Sequence, residues 1–160
     1  MGEDRVVAAR RGPSGDWGGT GGVLELPAKA ELVSLVRLLV SSLASTRRDL
    51  TEERVDDLRL AVSEACAHAI EASERQAADP RLSVGWREAD DHLEVSIVDQ
   101  GGSFDPEAVP ETQSGVPLGE RGLSVALLRA LVDDVVFLSH ESGTAVHMVL
   151  YCGRAGPGPH

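Results

Sequence analysis

The chain has 160 residues, 42% of them hydrophobic, with a formal charge of −11 and a pI near 4.8. That length suits one domain with a single core, one that removes about 68–70% of its unfolded surface from water, and so acidic a chain repels phosphate backbones and anionic lipid, which excludes direct nucleic-acid or membrane binding as its main activity. Cys66 and Cys152, without CxxC spacing, suggest neither a zinc site nor a disulfide framework. No apolar run approaches the about 20 residues of a membrane span, and no signal-peptide apolar region opens the chain, so a soluble cytoplasmic protein is expected.

Residues 1–22, rich in Gly and Arg, carry too little apolar surface to offset the entropy of ordering, and are expected to form a disordered tail. The domain is expected over residues 23–151, followed by a flexible tail at 152–160. Val23–Leu26 reads as a short strand. From Ala28 to about Thr46, Leu32, Leu35, Val36, Leu39 and Leu43 keep helical spacing. Thr51, followed by Glu52 and Glu53, has the form of an N-cap with acids in the first turn, and announces the longest helix.

That helix is centred on Val55–Ala72, where Val55, Leu58, Val62, Ala65 and Ala69 recur at three- and four-residue steps as a core stripe. At about 100° per residue, Glu64, His68 and Glu71 fall within a sector about 60° wide on the flank of that stripe. The helix is expected to fray through Ser73–Gln76 toward Pro80. Leu82, Val84 and Trp86, then Leu93, Val95 and Ile97, alternate with polar residues across an Asp-rich turn, giving a hairpin with one buried face.

After Asp99 comes a stretch of about 20 residues with Gly101, Gly102, Gly115, Gly119 and three prolines and almost no periodic apolar signal. Such a length inside a compact domain points to a lid or binding loop. Gly119–Leu123 then opens a helix carrying Leu123, Ala126, Leu127, Ala130 and Leu131, and strands at Val135–Ser139 and Thr144–Tyr151 end the domain. The order predicts a two-layer α/β (α+β) sandwich, a mostly antiparallel sheet covered on one face by three helices, with the long helix and the loop walling a pocket.

Three stretches in this order resemble the GHKL ATPase superfamily, which includes gyrase, the heat-shock chaperone, histidine kinases and mismatch-repair ATPases, and within it the bacterial anti-sigma-factor serine/threonine kinases. RLAVSEACAHAI is similar to the family's N-box helix, VDQGGSFDP to the box that holds adenine, and GERGLSVALLRALVDDVVF to the glycine turn and helix beyond the lid. The resemblance implies the histidine-kinase-like ATPase fold and an ATP site with Mg²⁺. In it Glu64 orients or deprotonates the attacking hydroxyl, Asp99 accepts from the adenine amino group and Gly101 lets the backbone approach the base. Gly119, Gly122 and the amides through Leu123 would meet the phosphates at a helix start, with Arg121 as a charged clamp.

The implied function is an anti-sigma factor that binds ATP and a sigma factor and phosphorylates an anti-anti-sigma antagonist on serine, working as a homodimer. The acidic surface suits a basic sigma region. Two departures from the family pattern stand out. His68 occupies the position of the family's Mg²⁺-ligating Asn, and Ser103 stands where another glycine is usual. A catalytically degenerate module that holds a partner without phosphoryl transfer is therefore an alternative. A second treats Glu64, His68 and Glu71 as ligands of a transition metal.

Overall fold

The computed structural model describes residues 7–10, 20–76, 78–99, 120–140 and 143–153. In chain order the elements are β1 (Val7–Arg10), β2 (Thr20–Pro27), a 3-10 turn (Ala30–Leu32), α1 (Val33–Ser45), α2 (Glu52–Gln76), β3 (Arg81–Glu88), β4 (His92–Val98), α3 (Glu120–Leu131), β5 (Asp134–His140) and β6 (Gly143–Tyr151). The six strands form one sheet in the order β1-β2-β3-β4-β6-β5, and every neighbouring pair is antiparallel. The expected two-layer α+β sandwich is thus the observed one.

Alternation fixes which face of the sheet is covered. The register sets Val84 opposite Ile97, Leu93 opposite Leu150 and Val95 opposite Met148, and all six are buried in one core with Leu26, Leu82 and residues of the three helices. A one-residue slip would send this whole set to the other face. That other face carries Arg87, Glu94 and His147, with Glu94 3.3 Å from His147 and 4.0 Å from Arg87, beside exposed Val136 and Leu138. At the β2 end, Gly22 leaves room for the Trp86 ring, which a Cβ at that position would meet at 2.6 Å.

α2 forms as the sequence predicts at its start: the Thr51 hydroxyl accepts the Arg54 N–H at 3.2 Å, and Glu52 and Glu53 occupy the first turn. With no Gly or Pro before Pro80, nothing stops it earlier, and it continues as helix to Gln76 rather than fraying from Ser73. Leu58, Ala61, Val62, Ala65, Cys66, Ala69 and Ile70 are buried along it. A Val, Leu or Ile side chain buried in this way contributes about 1.5–3 kcal/mol. α2 packs against α1, α3, β3, β4 and β6.

Three expectations are corrected. Residues 1–22 are not wholly outside the sheet, because Val7–Arg10 pairs with β2, and β2 begins at Thr20, three residues ahead of the expected Val23. Cys152 and Gly153, assigned to a flexible tail, donate their backbone N–H groups to Asp91 O at 2.9 Å and Asp49 O at 3.2 Å. In α1 the buried line is Val36, Val40, Ala44, while Leu35 is 37% exposed. The fully buried set runs i, i+4, i+8, and Leu32 and Leu39 of the expected stripe pack half-buried against the same core.

One buried ion pair joins the two ends of the domain. Arg54, 4% exposed, donates from Nη2 to Asp133 Oδ2 at 2.6 Å and from Nη1 to Leu131 O at 3.4 Å. The same carboxylate oxygen accepts the Tyr151 N–H at 2.7 Å. The first turn of α2, the α3–β5 turn and the end of β6 therefore meet at one carboxylate. Removing one partner leaves the other's charge buried and uncompensated, so Arg54→Ala is expected to cost about 3–5 kcal/mol in urea unfolding. A cost below about 1 kcal/mol would show the pair to be as weak as a surface bridge.

Burial pushes the Cys66 thiol up from 9.0 to about 12. Between these values the folded chain keeps a proton that the unfolded chain has lost. The stability tied to this thiol is therefore full below pH 9.0 and is lost as pH rises toward about 12. Cys66→Ala is expected to flatten the pH 9–11 decline in unfolding free energy by about 1.4 kcal/mol per pH unit, the slope for one proton. Equal slopes for both proteins would contradict the assignment.

Candidate functional site

The flank of α2 picked out in the sequence divides in the structure. Glu64 and His68 are half-buried, whereas Glu71 is exposed. Burial of Ala61, Val62, Ala65, Cys66, Ala69 and Ile70 fixes the rotation of the helix, so Glu64 and His68 stay one turn apart at the margin of the core. Arg54, Asp57, Ala61, Glu64 and His68 follow one another at three- and four-residue steps and share one stripe. Arg54, at the head of that stripe, meets Leu131 and Asp133 at the end of α3, so the stripe is the side of α2 turned to α3. The 12 residues of α3 span about 18 Å at about 1.5 Å each. Packed along α2 from this anchor, they carry the opening turn of α3 toward the Glu64 and His68 end.

α3 begins at Glu120, so Arg121, Gly122 and Leu123 lie inside its first turn, one turn earlier than a helix opened after Gly122. The first four amides of a helix have no intrahelical acceptor and carry partial positive charge. These are the groups that could receive phosphate oxygens. Gly101, Gly119 and Ser103 lie outside the described residues.

Asp99 follows the last residue of β4 and is half-buried. Its N–H donates to Thr144 O at 3.0 Å, and its Oδ1 accepts the Thr144 N–H at 3.2 Å. Thr144 is 3% exposed. This double link to β6 fixes the direction of the carboxylate. Thr144 was missed in the sequence, where it reads only as the first residue after a turn. The pairing of β4 with β6, two segments 45 residues apart, is what brings it to Asp99.

The donors on α2 do not fit magnesium. Mg²⁺ is a hard ion that prefers oxygen ligands in near-octahedral geometry, and the position one turn after Glu64 offers an imidazole. Among the described residues no group of three or more His, Cys, Asp and Glu side chains could hold a metal ion. The three-ligand alternative of Glu64, His68 and Glu71 is thereby corrected, and Glu71 is exposed where the other two are half-buried.

The arrangement of α2, the β4 end and the start of α3 defines a class of ATPase domains. The family described as Histidine kinase-like ATPase domain matches residues 26–150, and the chain belongs to it, on the branch of the anti-sigma-factor serine kinases. It is 35% identical over 135 residues to the serine-protein kinase RsbW of Bacillus subtilis, covering 80% of this chain and 83% of that one. To the RsbW of Listeria innocua it is 36% identical, covering 80% and 85%. Among solved structures, the mycobacterial sensor histidine kinase MprB has a TM-score of 0.51 at 18% identity, over 80% of this chain and 96% of that one. The catalytic domain of histidine kinase ThkA has 0.52 at 15%, over 85% and 97%. These two similarities are of fold.

Asp99→Ala leaves the Thr144 N–H buried without its acceptor, at an expected cost of about 1–3 kcal/mol. Asp99→Asn keeps an oxygen there and is expected to stay within about 0.5 kcal/mol of wild type. Urea unfolding of both variants checks the assignment, and equal losses would contradict it.

Proposed function

We propose that this chain is an anti-sigma factor of the serine-kinase type: it binds ATP and a sigma factor, and passes the γ-phosphate to a serine of an anti-anti-sigma antagonist. The observation that carries the proposal is Glu64, a half-buried carboxylate on the side of α2 turned to α3, in a chain 35% identical to a serine-protein kinase. Glu64 accepts the proton of the antagonist hydroxyl as it attacks phosphorus. A base beside the nucleophile contributes typically about 10²–10⁴-fold to such a step. Asp99, held by Thr144, accepts from the adenine amino group. The amides of Glu120–Leu123 receive phosphate oxygens at the positive end of α3, and the family resemblance assigns Gly119 and Arg121 to the phosphates and Gly101 to the base.

Partner selection follows from charge. A chain at −11 attracts a basic sigma-factor region and speeds the encounter at low ionic strength. His68 is the observation that favours a second reading, in which the same fold holds its partner without phosphoryl transfer.

Transfer of labelled γ-phosphate to a candidate antagonist separates the two. Wild type is expected to label the antagonist, and Glu64→Ala to lower the rate about 10²–10⁴-fold while leaving nucleotide binding intact. Nucleotide binding with no labelling by wild type would leave the binding module as the function.

A further inference from the structure

We infer that Arg54 is a positioning residue for the phosphate end of the nucleotide site: it pins the C-terminal end of α3 to α2 and to the sheet, and so aims the opening amides of α3 at the phosphates. The inference rests on the nucleotide-site reading given above and adds to it the group that holds the phosphate-binding helix in place.

Among its described residues, the side chains by which α3 joins the main core sit at its C-terminal end. Leu128 is buried there, Leu131 packs half-buried against the same cluster and Val132 follows, whereas Val125 is buried outside that cluster. The bond from Arg54 Nη1 to Leu131 O falls on the last residue of the helix, where a cation is also favoured by the helix dipole. From Nη2 the same guanidinium holds Asp133 Oδ2. Asp133 is itself fixed to β6, by its own N–H to Val149 O at 3.0 Å and by the Tyr151 N–H that its carboxylate accepts. A planar fork with both arms engaged sets a direction as well as a distance. The lever it controls is long. A tilt of about 10° about the Leu131 end displaces the opening amides, about 18 Å away, by about 3 Å, whereas an N–H···O bond tolerates a change of only about 0.5 Å.

Stability alone is a poor reason for this arginine. A buried ion pair often stabilises no more than apolar side chains of the same volume would. Arg54 Nε has no hydrogen-bond partner among the described residues, so the guanidinium is only partly satisfied. What an apolar pair could not supply is the link to Leu131 O.

Binding of adenosine and of ADP to the full chain tests this, followed by NMR titration, which reads weak affinities. Arg54→Lys keeps the charge but has one nitrogen in place of the fork. Arg54→Met combined with Asp133→Asn removes both charges and keeps an acceptor for the Tyr151 N–H, so no lone buried charge is left to unfold the domain. In both variants ADP affinity is expected to fall about 5–150-fold, the range of coupling between linked sites, while adenosine affinity stays as in wild type because Asp99 and Thr144 are untouched. A merely structural role would weaken both ligands together or neither, and either result would overturn the inference while leaving the nucleotide site standing. Wild type that binds neither ligand would overturn the nucleotide site and the inference together.

Discussion

The constraint on which the rest depends is the burial of α2. It runs 25 residues and touches α1, α3 and three strands, so every other element takes its place relative to this one. Its apolar side is set by side chains whose spacing leaves a single rotation that buries Leu58, Val62, Ala65 and Ala69 together. Once that rotation is chosen, the direction of every polar residue on the helix is chosen as well. Glu64 and His68 are held at the margin of the core by residues that have no chemistry of their own. A site built on a helix fixed this way needs little reorganisation to hold a reacting group.

Much of this was legible in the sequence because the relevant signals are local. Thr51 and the two acids after it mark a helix start by chemistry that acts within one turn, and the alternation of Leu93, Val95 and Ile97 reports a strand with one covered face. Signals that depend on distant partners were not legible. Leu35 belongs to the apolar pattern of α1 and is nevertheless exposed, because which leucines are covered is decided by where α2 and the sheet lie. Val7–Arg10 is only four residues long, too short to carry an alternation of its own, and gains a strand conformation from the edge of β2. Thr144 acquired its role only when β6 was laid beside β4.

The candidate site divides along the same line. Glu64, His68 and Asp99 can be singled out in the sequence because each sits at a recognisable local feature, a helix flank or a strand end. Glu71 shares the spacing of the first two, and nothing local separates it from them. In the structure it is exposed where the other two are half-buried, a difference that the spacing does not carry. The Arg54–Asp133 pair was invisible for the plainest reason. Its members are 79 residues apart, and an arginine in the first turn of an acidic helix looks like a surface charge until a carboxylate from elsewhere covers it.

That pair also bears on how the chain is made. A ribosome that has released the protein only through β4 has already delivered Arg54, but neither Asp133 nor the strand that closes over it. Until those residues emerge, the head of α2 carries a cation that prefers water, and the nascent domain has reason to stay open there. The stretch from Asp133 to Tyr151 thus acts as the latch, and the closing of the domain around the head of α2 waits for its emergence.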